Sequence, residues 1–183
     1  MTKLLFNIIC AICLIACNAA AVSADQQKPG EYQIKALFLY NFLNFVDWPV
    51  DSSFHSSPTI NVCIIGDDPF ADAVDDIRNE TVKGKKLAIR FYRPFDEPEG
   101  CHLLFIPASE KNHVGHILRP VRESNVLTVA DTVEVGRHGA IISFLIEQKK
   151  VRFAINIDAA RRAGLKISSK LLKLAKIVNP PSE

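Results

Sequence analysis

Two short, almost continuous apolar runs, each containing one cysteine, most constrain how this chain can fold. They read TINVCIIG (59–66) and CHLLFIP (101–107), and neither has the alternation of a strand with one solvated face. Strands that are apolar on both faces are typical of parallel sheets covered by helices on each side. These runs therefore predict a sheet that is buried on both faces.

Strand and helix patterns alternate along the rest of the chain, as in α/β proteins. Further strands are predicted in KKLAIRFYR (85–93), NVLTVAD (125–131) and the hairpin AIISFLIEQKKVRFAINI (140–157), which turns at Gln148–Lys149. Helices are predicted over 68–79, begun by Asp68 and Pro69, and from Ser109 onward. The expected fold is α/β: a single domain with a mixed, mostly parallel sheet flanked by helices, with a C-terminal hairpin and helices.

The first predicted helix, EYQIKALFLYNFLNFVDWP (31–49), has an unusually aromatic apolar face and ends at Pro49. The residues that recur at helical spacing are Ile34, Phe38, Phe42 and Phe45, with Leu37 and Val46 beside them. Two interpretations are open: the whole face belongs to the core, or part of this wide face packs against a partner or a second copy.

The C-terminal stretch GLKISSKLLKLAKIV (164–178) predicts an amphipathic helix capped at Ser168 or Ser169. Its apolar stripe consists of Ile167, Leu171, Leu174 and Ile177, and its lysines point in other directions. This helix could cover the protein's own sheet. Alternatively it could be a docking surface, because exposed apolar surface usually marks an interaction site.

The first 24 residues have the three parts of a secretory signal peptide: a charged start at Lys3, an apolar stretch and a small-residue cleavage site ending at Ala24. This pattern predicts an exported, periplasmic protein. An alternative is open, because LIAC (14–17) resembles a bacterial lipobox that would anchor the chain through a lipidated Cys17.

Cleavage after Ala24 would take 24 of the 183 residues and leave 159, which is enough for one domain. The predicted parts are a flexible leader (25–30), an α/β domain (31–178) and a tail (179–183). Only Cys63 and Cys101 would remain, and two cysteines in an oxidising compartment most simply pair. Their loop of about 39 residues would contribute about 4 kcal/mol of stability. The alternative is two buried free thiols.

No pattern in the chain predicts an enzyme, a cofactor or a metal. The hydrophobic content of 48% and the net charge of +2 are those of an ordinary globular protein and do not indicate one that seeks nucleic acid. The turn GDDPF (66–70) has one glycine and two aspartates, which disfavours phosphate and indicates a helix cap. His113 and His116 lack the further ligands that a metal site needs.

Six segments, taken together and in this order, resemble the YfiR family of periplasmic proteins. They are EYQIKALFLYNFLNFVDWP, CIIGDDPF, VKGKKL, CHLLFIP, VLTVAD and VRFAINIDAARRAGLKISSKLLKLAKIV. The resemblance extends from about Glu31 to Val178 and implies an α/β fold without enzymatic activity. It also implies that Cys63 and Cys101 form the disulfide shared by the family. A second cysteine pair of the better-known member has no counterpart, since Ser143 and Phe144 stand there.

The resemblance implies a regulatory binding protein. It would bind the periplasmic domain of an inner-membrane diguanylate cyclase or a similar sensor and so lower cyclic di-GMP signalling and biofilm formation. An OmpA-like outer-membrane lipoprotein would sequester it. A homodimer through aromatic surface is a further expectation.

Partner contact is predicted in the hydrophobic C-terminal region, at Phe153, Leu165, Ile167 and Leu171. The alternative function is a small-ligand-binding accessory protein of a receptor or transporter, because open α/β sheets bind ligands beyond the carboxyl ends of their strands.

Overall fold

The computed structural model describes residues 29–178. The predicted signal peptide, the lipobox with Cys17, the leader as far as residue 28 and the tail (179–183) lie outside the described residues. Residues 29 and 30, which were assigned to the leader, already belong to the first helix.

Seven α-helices and ten β-strands make up the described chain. The helices are α1 (Pro29–Phe45), α2 (Ser53–Ser56), α3 (Asp75–Arg78), α4 (Val114–Leu118), α5 (Val133–Gly136), α6 (Ile157–Arg162) and α7 (Ser169–Leu172). The strands are β1 (Val46–Asp47), β2 (Thr59–Ile65), β3 (Thr81–Val82), β4 (Lys85–Tyr92), β5 (Leu103–Ile106), β6 (Leu127–Ala130), β7 (Ile142–Glu147), β8 (Lys150–Asn156), β9 (Lys166–Ile167) and β10 (Lys176–Val178). Short 3₁₀ turns at Ala71–Val74, Ala108–Asn112 and Arg119–Val121 extend α3 and α4.

Eight strands form one sheet in the order β10-β8-β7-β6-β5-β2-β4-β3, and β1 pairs separately with β9. The five strands β4, β2, β5, β6 and β7 run parallel, whereas β8 is antiparallel to β7 and β3 is antiparallel to β4. At the far edge β10 runs parallel to β8. The predicted mixed, mostly parallel α/β sheet is therefore confirmed.

The two apolar runs that contain cysteine form neighbouring central strands, β2 and β5. Ile60 to Ile65 and Leu103 to Ile106 are buried throughout. Alternate residues point to opposite faces, so that Val62 and Ile64 pack in the core beneath α1, while Cys63 and Ile65 pack in the core beneath α4. The continuous apolarity of each run follows from this burial on both faces.

Helix α1 is rotated relative to the predicted apolar stripe. Its buried side chains include Tyr32, Ala36, Leu39, Phe42 and Leu43, whereas Ile34 and Leu37 are 46% and 51% exposed. Of the two interpretations of this face, burial of the whole face does not hold: Ile34 is exposed because the buried face also contains Lys35, whose charge is matched inside the protein. The helix ends at Phe45 rather than at Pro49 because Val46 and Asp47 pair with β9.

The predicted C-terminal helix is wrong for most of its length. The segment forms β9, one helical turn (α7) and β10, because Ile167 pairs with Val46 and Ile177 pairs with Ile155. The cap at Ser168 is confirmed, since its Oγ accepts a hydrogen bond from the Leu171 backbone N–H at 3.3 Å. Both new strands depend on partners distant in the sequence, which local periodicity does not reveal.

Smaller differences concern helix starts and turns. The helix predicted over 68–79 begins at Ala71 as a 3₁₀ turn, and Asp68 Oδ1 accepts a hydrogen bond from the Phe70 N–H at 2.9 Å. The hairpin turn at Gln148–Lys149 is confirmed, and both residues have positive φ (50° and 62°), as in a type I′ turn. The helix predicted from Ser109 onward begins as a 3₁₀ turn at Ala108 and buries Val114, Ile117 and Leu118, and Pro120 lies in the 3₁₀ turn that ends it.

Candidate interaction surface

The carboxyl ends of β2 and β5 mark the place where an open α/β sheet would hold a ligand. After β2 the chain crosses to the α1 face, where Phe70 and Val74 are buried. After β5 it crosses to the opposite face, where Val114 and Ile117 are buried. The two strands therefore form the topological switch point of the sheet.

This switch point is filled by an acidic side chain. Gly66, which follows β2, has a φ of +77°, and a Cβ at this position would overlap the carboxylate of Glu110. Glu110 is 5% exposed, and its Oε2 lies 3.0 Å from Nδ1 of His113. A carboxylate held against the turn opposes a bound phosphate, which supports the interpretation of GDDPF as a turn. The predicted cap was wrong, because the first helical turn begins at Ala71 with Phe70, not Asp68, at its N-cap position.

A buried ion pair closes the carboxyl edge beside Glu110. Lys35 Nζ donates to Asp131 Oδ1 at 2.6 Å, and Tyr32 Oη donates to Oδ2 at 2.8 Å. Glu31 lies 2.6 Å from the same lysine, and the Ala108 N–H donates to Asp131 at 3.3 Å. Because both charges are buried and hydrogen-bonded, they fix the first turns of α1 over the end of β6.

Cys63 and Cys101 form a disulfide with a Cα–Cα distance of 5.9 Å. Both cysteines are buried beneath α4. The bond joins the middle of β2 to the residues just before β5, so it fixes the long β4–β5 connection to the centre of the sheet. The predicted pairing is confirmed, and the alternative of two free thiols does not apply.

His102, next to Cys101, is buried without full hydrogen bonding. Its Nδ1 accepts a hydrogen bond from the Asn61 backbone N–H at 2.9 Å, whereas Nε2 has no hydrogen-bond partner among the described residues. Burial lowers the pKa of His102; the nearby Ser53 backbone opposes this shift, and the positive charges of Lys85 and Arg90 add to it. Burial and the acceptor role of Nδ1 both favour the neutral imidazole.

The histidines singled out in the sequence do not build a metal site. His113 pairs with Glu110, and the ring of Phe95 lies 5.1 Å from His113 and 5.8 Å from His116. Within residues 29–178, no three His, Cys, Asp or Glu side chains are grouped so that they could hold a metal ion.

The residues predicted to contact a partner lie mostly in the core. Phe153, Leu165 and Leu171 are buried, and Ile167 is half-buried in the β1–β9 pair. The ring centroid of Phe153 lies 5.0 Å from that of Phe42 and 5.5 Å from that of Phe38. These side chains hold the C-terminal elements on the sheet, and their contact with a partner stays a prediction.

Exposed apolar side chains lie where α1 crosses the β7–β8 hairpin. We call this the hairpin–α1 surface; it consists of Ile34, Leu37, Phe38, Ile146 and Val151. Ile34, Leu37 and Ile146 are 46%, 51% and 52% exposed, and Phe38 and Val151 are half-buried against the core. Such a concentration of apolar side chains at the surface is typical of an interaction site.

The register of the hairpin places these side chains together. Phe38 packs over Phe144, with the two ring centroids 6.0 Å apart. Ile34 lies one helical turn before Phe38, and Ile146 lies two residues beyond Phe144 on the same face of β7, opposite Val151. Because the first turns of α1 lie over the carboxyl end of β6, Ile34 and Ile146 extend in the same direction from Phe38.

The sequence pattern placed Ile34 on the apolar face of α1 without deciding whether the whole face is buried, and it gave Ile146 no role. The available signal was the width of the apolar face of α1, which exceeds what one sheet can cover. The interpretation that part of this face packs outside the core anticipated the result without identifying the residues.

The chain matches a known protein family over most of its length. None of the helices in residues 29–178 is long and apolar enough to cross a membrane. The model of the YfiR/HmsC-like family matches residues 32–176, and at the family level it supports a periplasmic regulator of diguanylate cyclase rather than an enzyme. The match includes every strand of the fold except the end of β10. The chain therefore belongs to the YfiR/HmsC-like family.

Proposed function

We propose that this protein is a periplasmic inhibitor that binds the periplasmic domain of an inner-membrane diguanylate cyclase, or of a similar sensor. Binding would hold the cyclase inactive and so lower cyclic di-GMP signalling and biofilm formation. Family membership supports the kind of target, and the hairpin–α1 surface supports the means of contact.

One observation carries the proposal: the exposed apolar side chains of the hairpin–α1 surface lie on a part of α1 that is held in place by core packing and by an ion pair. Phe38 is fixed between Phe42, Phe144 and Phe153, with ring centroids 5.5–6.0 Å apart. The Lys35–Asp131 ion pair fixes the preceding turn of α1. Because the surface is already ordered, a partner that covers Ile34 and Leu37 gains apolar burial with little further loss of conformational entropy.

The C-terminal residues predicted to bind a partner take a supporting role in this proposal. Phe153 lies directly beneath Phe38 and keeps it at the surface. Leu165 and Leu171 hold the segment after β8 in the core, and Ile167 fastens it to β1. A substitution at any of the four would act on partner binding through the shape of the neighbouring surface.

The proposal extends to two further partners, a second copy of the chain and an OmpA-like outer-membrane lipoprotein. Each could occupy the same apolar surface and would then compete with the cyclase. A small-ligand function has less support, because Glu110 and the Lys35–Asp131 pair fill the carboxyl edge of the sheet.

The test is a pair of charge substitutions on the hairpin–α1 surface, Ile34→Asp and Leu37→Asp, in a strain that lacks the chromosomal copy. The double variant should lose co-purification with the membrane cyclase, and cellular cyclic di-GMP should rise to the level of the deletion strain. The matched control is Val50→Asp, because Val50 is 89% exposed but lies outside this surface. Thermal unfolding shows that each variant is folded.

The proposal is wrong if the double variant represses cyclic di-GMP as well as the wild type does. Loss of repression in Val50→Asp to the same extent would assign the effect to added charge rather than to the surface. Analytical ultracentrifugation of the purified wild type and variants, without cyclase, tests for a homodimer. If the surface forms a homodimer, the wild type sediments as a dimer and the double variant as a monomer; if it binds only the cyclase, both sediment as monomers.

A further inference from the structure

The charges of this protein are distributed very unevenly along the chain. Residues 148–178 contain nine lysines and arginines and a single carboxylate, Asp158, whereas residues 29–147 contain 11 basic and 17 acidic residues. The overall net charge of +2 conceals this division. A charge asymmetry of this size indicates that one part of the molecule is suited to an anionic partner.

The fold gathers six of these basic residues along one side of the sheet. We call this the basic edge; it consists of Lys149, Lys150, Arg152, Lys170, Lys173 and Lys176, all of them exposed. Three belong to the hairpin tip and β8. Of the others, Lys170 lies on α7, Lys173 directly follows α7, and Lys176 begins β10, which is the terminal strand of the sheet beside β8. The basic edge therefore runs along the open side of the sheet.

Most charges on the basic edge have no intramolecular counterion. The exception is Lys176, whose Nζ lies 3.9 Å from Glu147 Oε1. No carboxylate of residues 29–178 lies within ion-pair distance of the other five. Like charges on one edge repel one another and slightly destabilise the unbound protein. An external anionic surface would reduce this repulsion.

Exposed apolar side chains lie among these lysines. Leu174 is 70% exposed and stands between Lys173 and Lys176 in the sequence, and Ile177 on β10 is 46% exposed. Cationic residues interleaved with protruding apolar residues are typical of surfaces that lie at the interface of an anionic bilayer.

We propose that the basic edge binds the surface of an anionic phospholipid bilayer, with Leu174 and Ile177 entering the headgroup region. Each basic residue near such a surface strengthens partitioning by about fivefold. The charge is spread along an open edge instead of converging on a pocket, which favours an extended anionic surface over an acidic protein segment. The hairpin–α1 surface adjoins the basic edge. Binding of the basic edge to the bilayer would therefore hold the hairpin–α1 surface close to the membrane.

The experiment is vesicle co-sedimentation with protein expressed from the full 183-residue sequence and purified from the cell envelope, its N-terminus determined by mass spectrometry. Vesicles of phosphatidylcholine alone are compared with vesicles that contain about one third phosphatidylglycerol, at about 0.1 M salt. We expect binding to the anionic vesicles to exceed binding to the neutral ones at least tenfold, and to weaken as salt screens the charges.

A matched pair of charge reversals tests the assignment to the basic edge. Lys170→Glu/Lys173→Glu should weaken anionic-vesicle binding by at least about 25-fold, from two charges at about fivefold each. Lys86→Glu/Lys111→Glu makes the same change of net charge at exposed lysines on other elements, and should change binding less than threefold. Leu174→Ser should weaken binding several-fold without altering its salt dependence.

The proposal is overturned if the protein binds neutral and anionic vesicles equally, or if the two double variants lose binding equally. It is also overturned if the wild type does not bind vesicles but binds a polyglutamate column, and if Lys170→Glu/Lys173→Glu abolishes that binding. The edge would then belong to an acidic protein partner. Since no cyclase is present, failure here leaves the proposed inhibition of the cyclase unaffected.

Discussion

Removing the Cys63–Cys101 disulfide should cost a large part of the stability of the folded protein. The perturbation is the double substitution Cys63→Ala/Cys101→Ala, which keeps both buried positions apolar and leaves no unpaired thiol among the described residues. The bond closes a loop of 38 residues in sequence separation. In the chain-entropy model, a loop of that length lowers the entropy of the unfolded chain enough to stabilise the fold by about 4 kcal/mol.

That figure is large beside the total stability of a domain, which is typically about 5–15 kcal/mol. The bond also joins β2 to the residues before β5 at the centre of the sheet, so its loss frees the long β4–β5 connection. We expect the double variant to unfold at a much lower urea concentration, with a larger m-value because its unfolded chain is less compact.

The assay is urea denaturation followed by far-ultraviolet circular dichroism, with and without a reducing agent. Reduced wild type should approach the stability of the double variant, and the double variant itself should not respond to the reductant. A loss below about 1 kcal/mol would refute the reasoning, because the native contacts would then hold the β4–β5 connection without the bond. A variant that still responds to reductant would show that another thiol is involved.

Two further predictions concern single side chains. Because burial lowers the pKa of His102 below its value in the unfolded chain, the unfolded state binds the proton more readily, and stability should fall as the pH drops below about 6.5. His102→Gln keeps an acceptor for the Asn61 N–H and should reduce the fall in the midpoint of thermal unfolding between pH 7.5 and 5. An unchanged fall would assign the pH dependence to other groups. Gly66→Ala should destabilise by more than Gly84→Ala, since both glycines have a positive φ (77° and 79°) but only a Cβ at Gly66 meets Glu110. Equal shifts in the urea midpoint of these two variants would show that Glu110 moves aside freely.

The wide apolar face of α1 shows where sequence reasoning stops. Its periodicity predicted the helix correctly, but it left open which part of the apolar face is buried. It gave no role to Lys35, because a lone lysine in an amphipathic pattern is normally solvated. Only the fold brings Asp131, 96 residues away, to within 2.6 Å of that lysine. Once Lys35 is buried, the helix is rotated and Ile34 is exposed.

The C-terminal segment shows the same limit. Residues 164–178 have a helical pattern, and α7 is indeed helical, but the pairing of β9 with β1 and of β10 with β8 outweighs local propensity on either side. Ile167 of β9 pairs with Val46, far away in the sequence, and Lys176 of β10 pairs with Ala154, beyond the helical span of its own segment. The lysines predicted around one helix therefore lie on an open sheet edge instead.

The sequence by itself determined the central sheet, because strands that are apolar on both faces require helices on each side. It favoured the pair of Cys63 and Cys101 over two free thiols on the expectation that a signal peptide is removed. The tertiary structure alone decided which apolar residues remain at the surface and where the basic residues gather. The physical reason is that a strand buried on both faces shows this burial in its own continuous apolar sequence. The exposure of a side chain at the surface depends instead on which elements, distant in the sequence, pack against it.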